Sequence, residues 1–276
     1  MFSKAIEKGI KYTKPLLTGR MYYEKRRIVN GISSLIVLNA EGDILTCGHV
    51  ADLFMIADET NEVFYPILAE LQGKSNKEQA KIEKKYDIKP DTLVALHNII
   101  VDIADNPGRL NIIKHPILDL AIIKLENKEN VLIKDFPIFR TENALVGEMM
   151  CNLGFAFPEY DTFYYDENKN LVCTSNKIMN FPVFPLNGMI TRHIIDPNQE
   201  ITMFEISCPC LPGQSGGPIL DEKGYICGIQ AGTKRISSNY NNDMPFDLDL
   251  GIGINVKAVT NFLDQHHIKY NKAPTK

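Results

Sequence analysis

The sequence of 276 residues has no tryptophan and no excess of basic charge, and no run in it approaches the roughly 18 apolar residues of a membrane-crossing helix. With 23% charged and 44% hydrophobic residues, the composition indicates neither a membrane protein nor a disordered chain, and it is ample for a buried core. A formal net charge of −4 offers no electrostatic footprint for nucleic acid. Lys25-Arg26-Arg27 is too short a cluster to change that, and reads as a solvated stretch. Met1 to Lys8 carries charge throughout and lacks the apolar centre of a secretory leader. The expectation is a cytoplasmic protein, or a secreted or periplasmic one if a leader was removed. The six cysteines follow no spacing that reads as a disulfide framework, and free thiols are expected. Cys208-Pro209-Cys210 is too tightly spaced for a usual zinc pair, and no second His/Cys pair accompanies it. Neither a metal nor an organic cofactor is implied.

What is present is chemistry. Leu211-Pro212-Gly213-Gln214-Ser215-Gly216-Gly217-Pro218 sets one serine among glycines. Such a loop can turn its backbone N–H groups one way, toward an anion that the serine itself creates. A serine hydroxyl is a weak nucleophile at neutral pH and needs an adjacent base. Two upstream segments supply the partners. Thr46-Cys47-Gly48-His49-Val50 ends the second strand of an expected hairpin that turns at Glu41-Gly42-Asp43. His115-Pro116-Ile117-Leu118-Asp119-Leu120-Ala121 places one acid at the mouth of an apolar strand, where a carboxylate needs a hydrogen-bond donor such as an imidazole N–H. A lone histidine or a lone strand-end acid is usually structural; together, in the order His, Asp, Ser, the three motifs read as a nucleophilic site.

These segments resemble the His, Asp and Ser boxes of chymotrypsin-fold (trypsin-like) serine proteases, with the HtrA-type and glutamyl-endopeptidase branches the most similar. The likeness runs over about residues 28 to 265, including Val146-Gly147-Glu148 to Phe155 and Leu250 to Asn255. It implies a catalytic triad of His49, Asp119 and Ser215 and an oxyanion hole from the N–H groups of Gly213 and Ser215. It also makes Gly228 to Thr233 the strand beside a protein or peptide substrate, with Gln230, Ala231 and Gly232 as substrate-binding residues. Gln230 falls where glutamyl endopeptidases carry a histidine, which argues against a strict acidic preference; the HtrA likeness implies small or aliphatic residues instead.

The pattern along the chain agrees with an all-β-dominated fold. Short apolar runs (34–38, 93–96, 110–113, 119–125, 149–153, 201–206, 225–230) alternate with Gly, Asn, Asp and Pro. Two antiparallel six-stranded barrels fit. The expected division is an N-terminal arm over 1–27 with a short helix, a first barrel over 28–143, a second over 144–268, and a tail over 269–276. An inserted helix is predicted over 74–86, crossing an end of the first barrel, and a C-terminal helix capped by Asn255 over 255–267, with His266 and His267 at its solvated end.

Arg26-Arg27-Ile28-Val29 looks like a zymogen activation site, but the residue before the serine is the neutral Gln214, so a freed Ile28 amine has no anionic partner. Two other readings compete. Gly213-Gln214-Ser215-Gly216-Gly217 also fits the nucleophile elbow of an α/β-hydrolase esterase, with Asp247 and His266 as partners, but the flanking prolines and the lack of alternating β and α segments oppose it. The other is a latent or inactive binding or scaffold protein on the chymotrypsin fold, waiting on an activating partner protein.

Overall fold

A computed structural model describes residues 1–23, 27–104, 108–128, 131–157, 162–165, 171–173, 181–238 and 246–274. In chain order the elements are α1 (Ser3–Tyr12), β1 (Thr13–Tyr22), β2 (Ile28–Val37), β3 (Ile44–Thr46), α2 (Gly48–Leu71), α3 (Asn76–Lys85), β4 (Leu93–Ile100), β5 (Leu110–Lys114) and β6 (Ala121–Leu125). There follow β7 (Ile138–Phe139), β8 (Met149–Asn152), β9 (Phe163–Tyr165), β10 (Leu171–Cys173), β11 (Leu186–Ile195), β12 (Ile201–Ile206), β13 (Pro218–Leu220), β14 (Ile226–Ser238), β15 (Phe246–Asn255), α4 (Val256–Gln265) and β16 (Asn271–Lys272).

Two curled sheets carry the chain. The first is six-stranded, in the order β4-β1-β2-β3-β6-β5, and its two edge strands do not pair, so it is a half-barrel. In the second, β13-β8-β11-β12-β15-β14 closes on itself through a β13–β14 pairing, and β7 and β16 extend it beyond β14. This is the strand-dominated, two-barrel arrangement expected, with one barrel closed and one open. The closed ring packs Met150, Ile190, Phe204, Ile206, Ile219 and Cys227 inside. Gly228 and Gly253 face the Phe204 ring, and a Cβ on either would come within 3.0 Å of it, so the glycines make room for the aromatic. A larger core joins the sheets: Leu35, Leu45, Ile122 and Ile123 of the first pack in one cluster with Leu153, Leu220, Ile229 and Ile254 of the second, under Val259 and Phe262 of α4.

Four expectations need correction. The N-terminal arm is not an appendage: Thr13 to Met21 pairs with Ile36 to Ile28 as β1, and α1 packs against Leu153 and Leu220 of the second barrel. Pro15 lies within β1, opposite Ser34 of β2. The boundary at 143 and the tail from 269 also shift, since β7 and β16 pair with each other and join the second sheet through β14. Asn255 sits at the N-cap of α4 but makes no capping bond; its Nδ2 donates to Asn143 Oδ1 (2.8 Å) and Ile201 O (2.7 Å). His266 is only partly exposed, its ring edge-on to Phe262 at 4.9 Å, while His267 is exposed.

The largest departure follows His49. A 24-residue helix, α2, begins there, where no helix was expected. Val50, Phe54, Ala57, Asn61, Phe64, Leu68 and Leu71 recur at three- and four-residue intervals, which puts them on one face. That face covers the open edge of the half-barrel. Asn61 completes the cover: its Nδ2 donates to Leu96 O (2.8 Å) and its Oδ1 accepts from Leu96 N–H (3.0 Å), so a side chain substitutes for a neighbouring strand on β4. The predicted helix over 74–86 is α3, started by a Ser75/Glu78 capping box. It packs through Ile82 on Ile67 and Leu71 of α2. The cluster Lys25-Arg26 lies outside the described residues.

Candidate active site

His49 occupies the first turn of α2, and its ring is half exposed. Asp119 sits just before β6, in a turn organised by His115, whose Nδ1 accepts from the N–H groups of Ile117 (3.1 Å) and Leu118 (2.9 Å). The turn delivers the Asp119 carboxylate to the start of α2. There Oδ2 lies 2.6 Å from His49 Nδ1, and Oδ1 accepts the His49 backbone N–H at 2.9 Å. A Cβ on Gly48 would meet Asp119 Oδ1 at 3.0 Å, so the glycine eases this close approach. Burial pushes the Asp119 carboxyl up, but hydrogen bonds from the His49 ring and from the His49 and Gly48 backbone outweigh it and hold the group below its ordinary value. One carboxylate thus both orients an imidazole and caps a long helix at its electropositive end.

Cys47 supports the same corner from below. It is fully buried, and its thiol donates to Gln230 O at 3.0 Å. Burial, then the charge of Asp119, push that thiol well above its usual range. Cys47, His49 and Asp119 bring a thiol, an imidazole and a carboxylate within 4.8 Å of one another, a donor set of metal-ligand type. Each donor is already engaged inside the protein, the thiol on Gln230 and the imidazole Nδ1 on the carboxylate.

The serine loop faces this corner. Gly216 N–H donates to Gln230 O (2.9 Å), the same carbonyl that takes the Cys47 thiol, so one backbone oxygen ties the histidine segment to the serine segment. Gly213 has φ +100°, and a Cβ there would lie 2.3 Å from Phe155 O. Gly216 has φ +86°, and a Cβ there would meet Thr46 Oγ1 at 2.2 Å. Both positions therefore need glycine for conformation and for space. The buried Gln214 folds back on its own loop: Oε1 accepts from Leu211 N–H (3.0 Å), and Nε2 donates to Phe184 O (2.6 Å).

Every carbonyl from 211 to 215 is taken. Leu211 O accepts Gln214 N–H, Pro212 O accepts Phe157 N–H, and Gln214 O accepts Gly217 N–H; Gly213 O and Ser215 O are held by Ser34. In a trans peptide the N–H points opposite to its carbonyl. Holding Pro212 O on Phe157 and Gln214 O on Gly217 therefore turns the N–H groups of Gly213 and Ser215 away from those partners, and neither is bonded to another described residue. No hydrogen bond joins Ser215 Oγ to the His49 ring; the hydroxyl lies against the Cys210 thiol, which burial pushes up to about 12.

The site residues named from the sequence have different fates. His49 and Asp119 are in contact, and Gly213 and Ser215 form the adjoining loop. Gln230 is corrected: it is fully buried, its Nε2 donates to Leu153 O (3.0 Å), and its backbone pairs with Gly216 and Gly217, so it reinforces the loop from behind and presents no side chain to a substrate. Ala231 and Gly232 are partly exposed at a bulge in β14. Of the esterase candidates, Asp247 lies on β15 and His266 at the end of α4, and the sheets lack the parallel order that reading needs. Ile28 begins a paired strand in mid-chain, and Gln214 is satisfied by Leu211 and Phe184, which removes both halves of a zymogen switch. None of the six cysteines is joined in a disulfide.

The trypsin-like peptidase domain matches residues 33–229. This chain belongs to that family. Among solved structures, an HtrA-type protease with a tripeptide is similar at TM-score 0.50 and 16% identity, covering 98% of this chain and 64% of that one. A serine endoprotease from Yersinia pestis is similar at TM-score 0.48 and 14% identity, covering 96% of this chain and 66% of that one. The trypsin-like chain thus spans just under two thirds of each of these two structures. No curated protein matches its sequence.

Proposed function

We propose that the chain is a serine endopeptidase that cleaves protein or peptide substrates without a cofactor. Ser215 Oγ attacks the scissile carbonyl carbon while His49 Nε2 accepts its proton. Asp119 keeps Nδ1 protonated and stabilises the imidazolium. The oxyanion is received by the N–H groups of Gly213 and Ser215. As the C–N bond breaks, His49 returns the proton to the leaving amine, and water then hydrolyses the acyl-enzyme by the same route. The edge of β14 at Ala231 and Gly232 would pair with an extended substrate through its backbone. The observation that carries this reading is the His49–Asp119 bond of 2.6 Å, beside a serine loop whose carbonyls are all hydrogen-bonded.

A second reading, a latent site completed by an activating partner protein, draws on one observation: Ser215 is not bonded to His49. Catalytic hydrogen bonds are often loose before substrate binds, so the missing bond does not by itself make the site latent. Covalent labelling with a fluorophosphonate separates the two. The native chain is expected to label, with labelling lost in Ser215→Ala and His49→Ala and kept in His266→Ala. No labelling of the native chain would favour latency.

A further inference from the structure

Ser34 lies on β2 of the first sheet, with no exposed surface, far in sequence from the serine loop. It meets that loop twice. Its backbone N–H donates to Ser215 O (3.0 Å), and its Oγ donates to Gly213 O (2.9 Å). Two further bonds fix Ser34 itself: Phe155 N–H donates to its Oγ (3.0 Å), and Thr46 Oγ1 donates to its carbonyl (2.9 Å). The hydroxyl is thereby used once as donor and once as acceptor.

The peptide plane between residues 214 and 215 carries the Ser215 N–H. The planes on either side of it carry Gly213 O and Ser215 O, and one residue holds both. Turning the Ser215 N–H away requires torsional change between those planes, against two buried bonds to the opposite barrel. We infer that Ser34 is a positioning residue for the oxyanion hole, acting across the seam between the barrels. This rests on the peptidase reading above and assigns a role to a residue that touches no substrate. Losing the hydroxyl leaves Gly213 O and Phe155 N–H without their partner in a buried site, and either can then recover a bond only by moving the loop.

The test compares Ser34→Ala with Thr18→Val, which removes one part-buried side-chain hydrogen bond (Thr18 Oγ1 to Asn98 Oδ1, 3.0 Å) on β1, away from the loop. Fluorophosphonate labelling is read as a limiting rate and a half-saturating concentration, alongside thermal unfolding. Removing one oxyanion donor outright typically costs about 10²–10³ in rate. A displaced donor should cost less, so Ser34→Ala is expected to slow the limiting rate roughly tenfold to a hundredfold, with half-saturation within about twofold. Thr18→Val is expected to lose similar stability and keep the native rate. If Ser34→Ala fails to fold, Ser34→Cys serves, since its longer, weaker donor should slow labelling several-fold. A limiting rate within twofold of native in the folded variant overturns the inference while leaving the peptidase reading intact. A native chain that does not label, with Ser34→Ala equally silent, overturns both.

Discussion

Replacing Asp119 with asparagine separates the two duties of that side chain. The carboxylate accepts the His49 ring at 2.6 Å and the His49 backbone N–H at 2.9 Å, with the Gly48 N–H adding to its stabilisation. An amide has one accepting oxygen for these donors. If its NH₂ faces His49 Nδ1, that nitrogen must be the unprotonated one, and Nε2 then carries a hydrogen toward Ser215 and cannot take a proton. This tautomer error typically costs about 10⁴ in turnover, or roughly 5.4 kcal/mol of transition-state stabilisation. The loss of a negative charge at the first turn of α2 costs far less, about 0.3–1 kcal/mol, so the variant should stay folded. The pH dependence has a definite sign. The carboxyl is held below its unfolded value of about 3.9, so its contribution is present above that pH and lost as pH falls through the lowered value. The measurements are the fluorophosphonate labelling rate at pH 8 and thermal melts of both proteins from pH 8 to pH 3. Labelling should fall about four orders of magnitude, and the difference in melting temperature should shrink on acidification. An Asp119→Asn variant that labels within tenfold of native would refute the proposed role. A melting difference that ignores pH would refute the capping argument.

Asn61→Ala should destabilise the fold by about 1–3 kcal/mol, because it strands both the N–H and the carbonyl of Leu96 on the edge of β4; urea unfolding measures this, and a change below 0.5 kcal/mol would show that water replaces the side chain freely. Glu205 is buried between Arg192 (2.6 Å) and Lys234 (3.0 Å), and the Arg192 hydrogen bond holds its carboxyl below the ordinary value against the cost of burial. Its stabilisation is therefore present above about pH 4.3 and lost as pH falls through the lowered value, so Glu205→Gln should flatten the acid limb of a stability-versus-pH curve; an unchanged limb would count against the ion pair. The Cys47 thiol is shielded by complete burial and the Cys210 thiol by burial that raises it to about 12. Maleimide at pH 7 should therefore leave fluorophosphonate labelling intact over minutes, and rapid inactivation mapped by mass spectrometry to either residue would contradict that.

The residues proposed to carry the chemistry stand out in the sequence because each lies in a short segment where residue type and local backbone constrain each other. Gly213 and Gly216 stand where φ is positive and a Cβ does not fit, and Gly48 stands where a carboxylate approaches. The two-barrel, strand-rich pattern was legible from the alternation of short apolar runs with turn residues. α2 was missed although its apolar face repeats at helical intervals. Exposed Met55, Ile56, Val63 and Tyr65 interrupt that periodicity, and Pro66 suggests a break that does not occur. β1 was missed because its order comes from pairing with β2 and β4, not from local propensity. Gln230 was misread for a similar reason. Its position along the chain places it beside the expected substrate, but whether its side chain faces the cleft or the core depends on the bulge at Ala231, which only the three-dimensional register reveals. Ser34, one of two adjacent serines in an apolar strand, carries no local mark of its contacts with residues 179 and 181 positions later.

The geometry of this site is set mainly by backbone groups meeting across the seam of the two sheets. Gln230 O joins Cys47 to Gly216, Ser34 joins β2 to Gly213 and Ser215, and Ser34 also receives Phe155 N–H from the second barrel. Each bond is close to 3 Å, and each sits where water cannot substitute readily. Sliding one barrel past the other by an ångström would stretch all of them together, and would separate the serine loop from the His49–Asp119 corner in the same motion. Asp119 extends that coupling outward, because the carboxylate that orients His49 also caps a helix whose far end carries α3. α3 packs on the far end of the helix that carries His49, whereas the proposed oxyanion donors are tied to Ser34 at the barrel seam. The two halves of the proposed catalytic apparatus thus have separate supports. Substitutions on α3 should then alter the His49–Asp119 pair while leaving the serine loop in place, and substitutions at Ser34 should do the reverse.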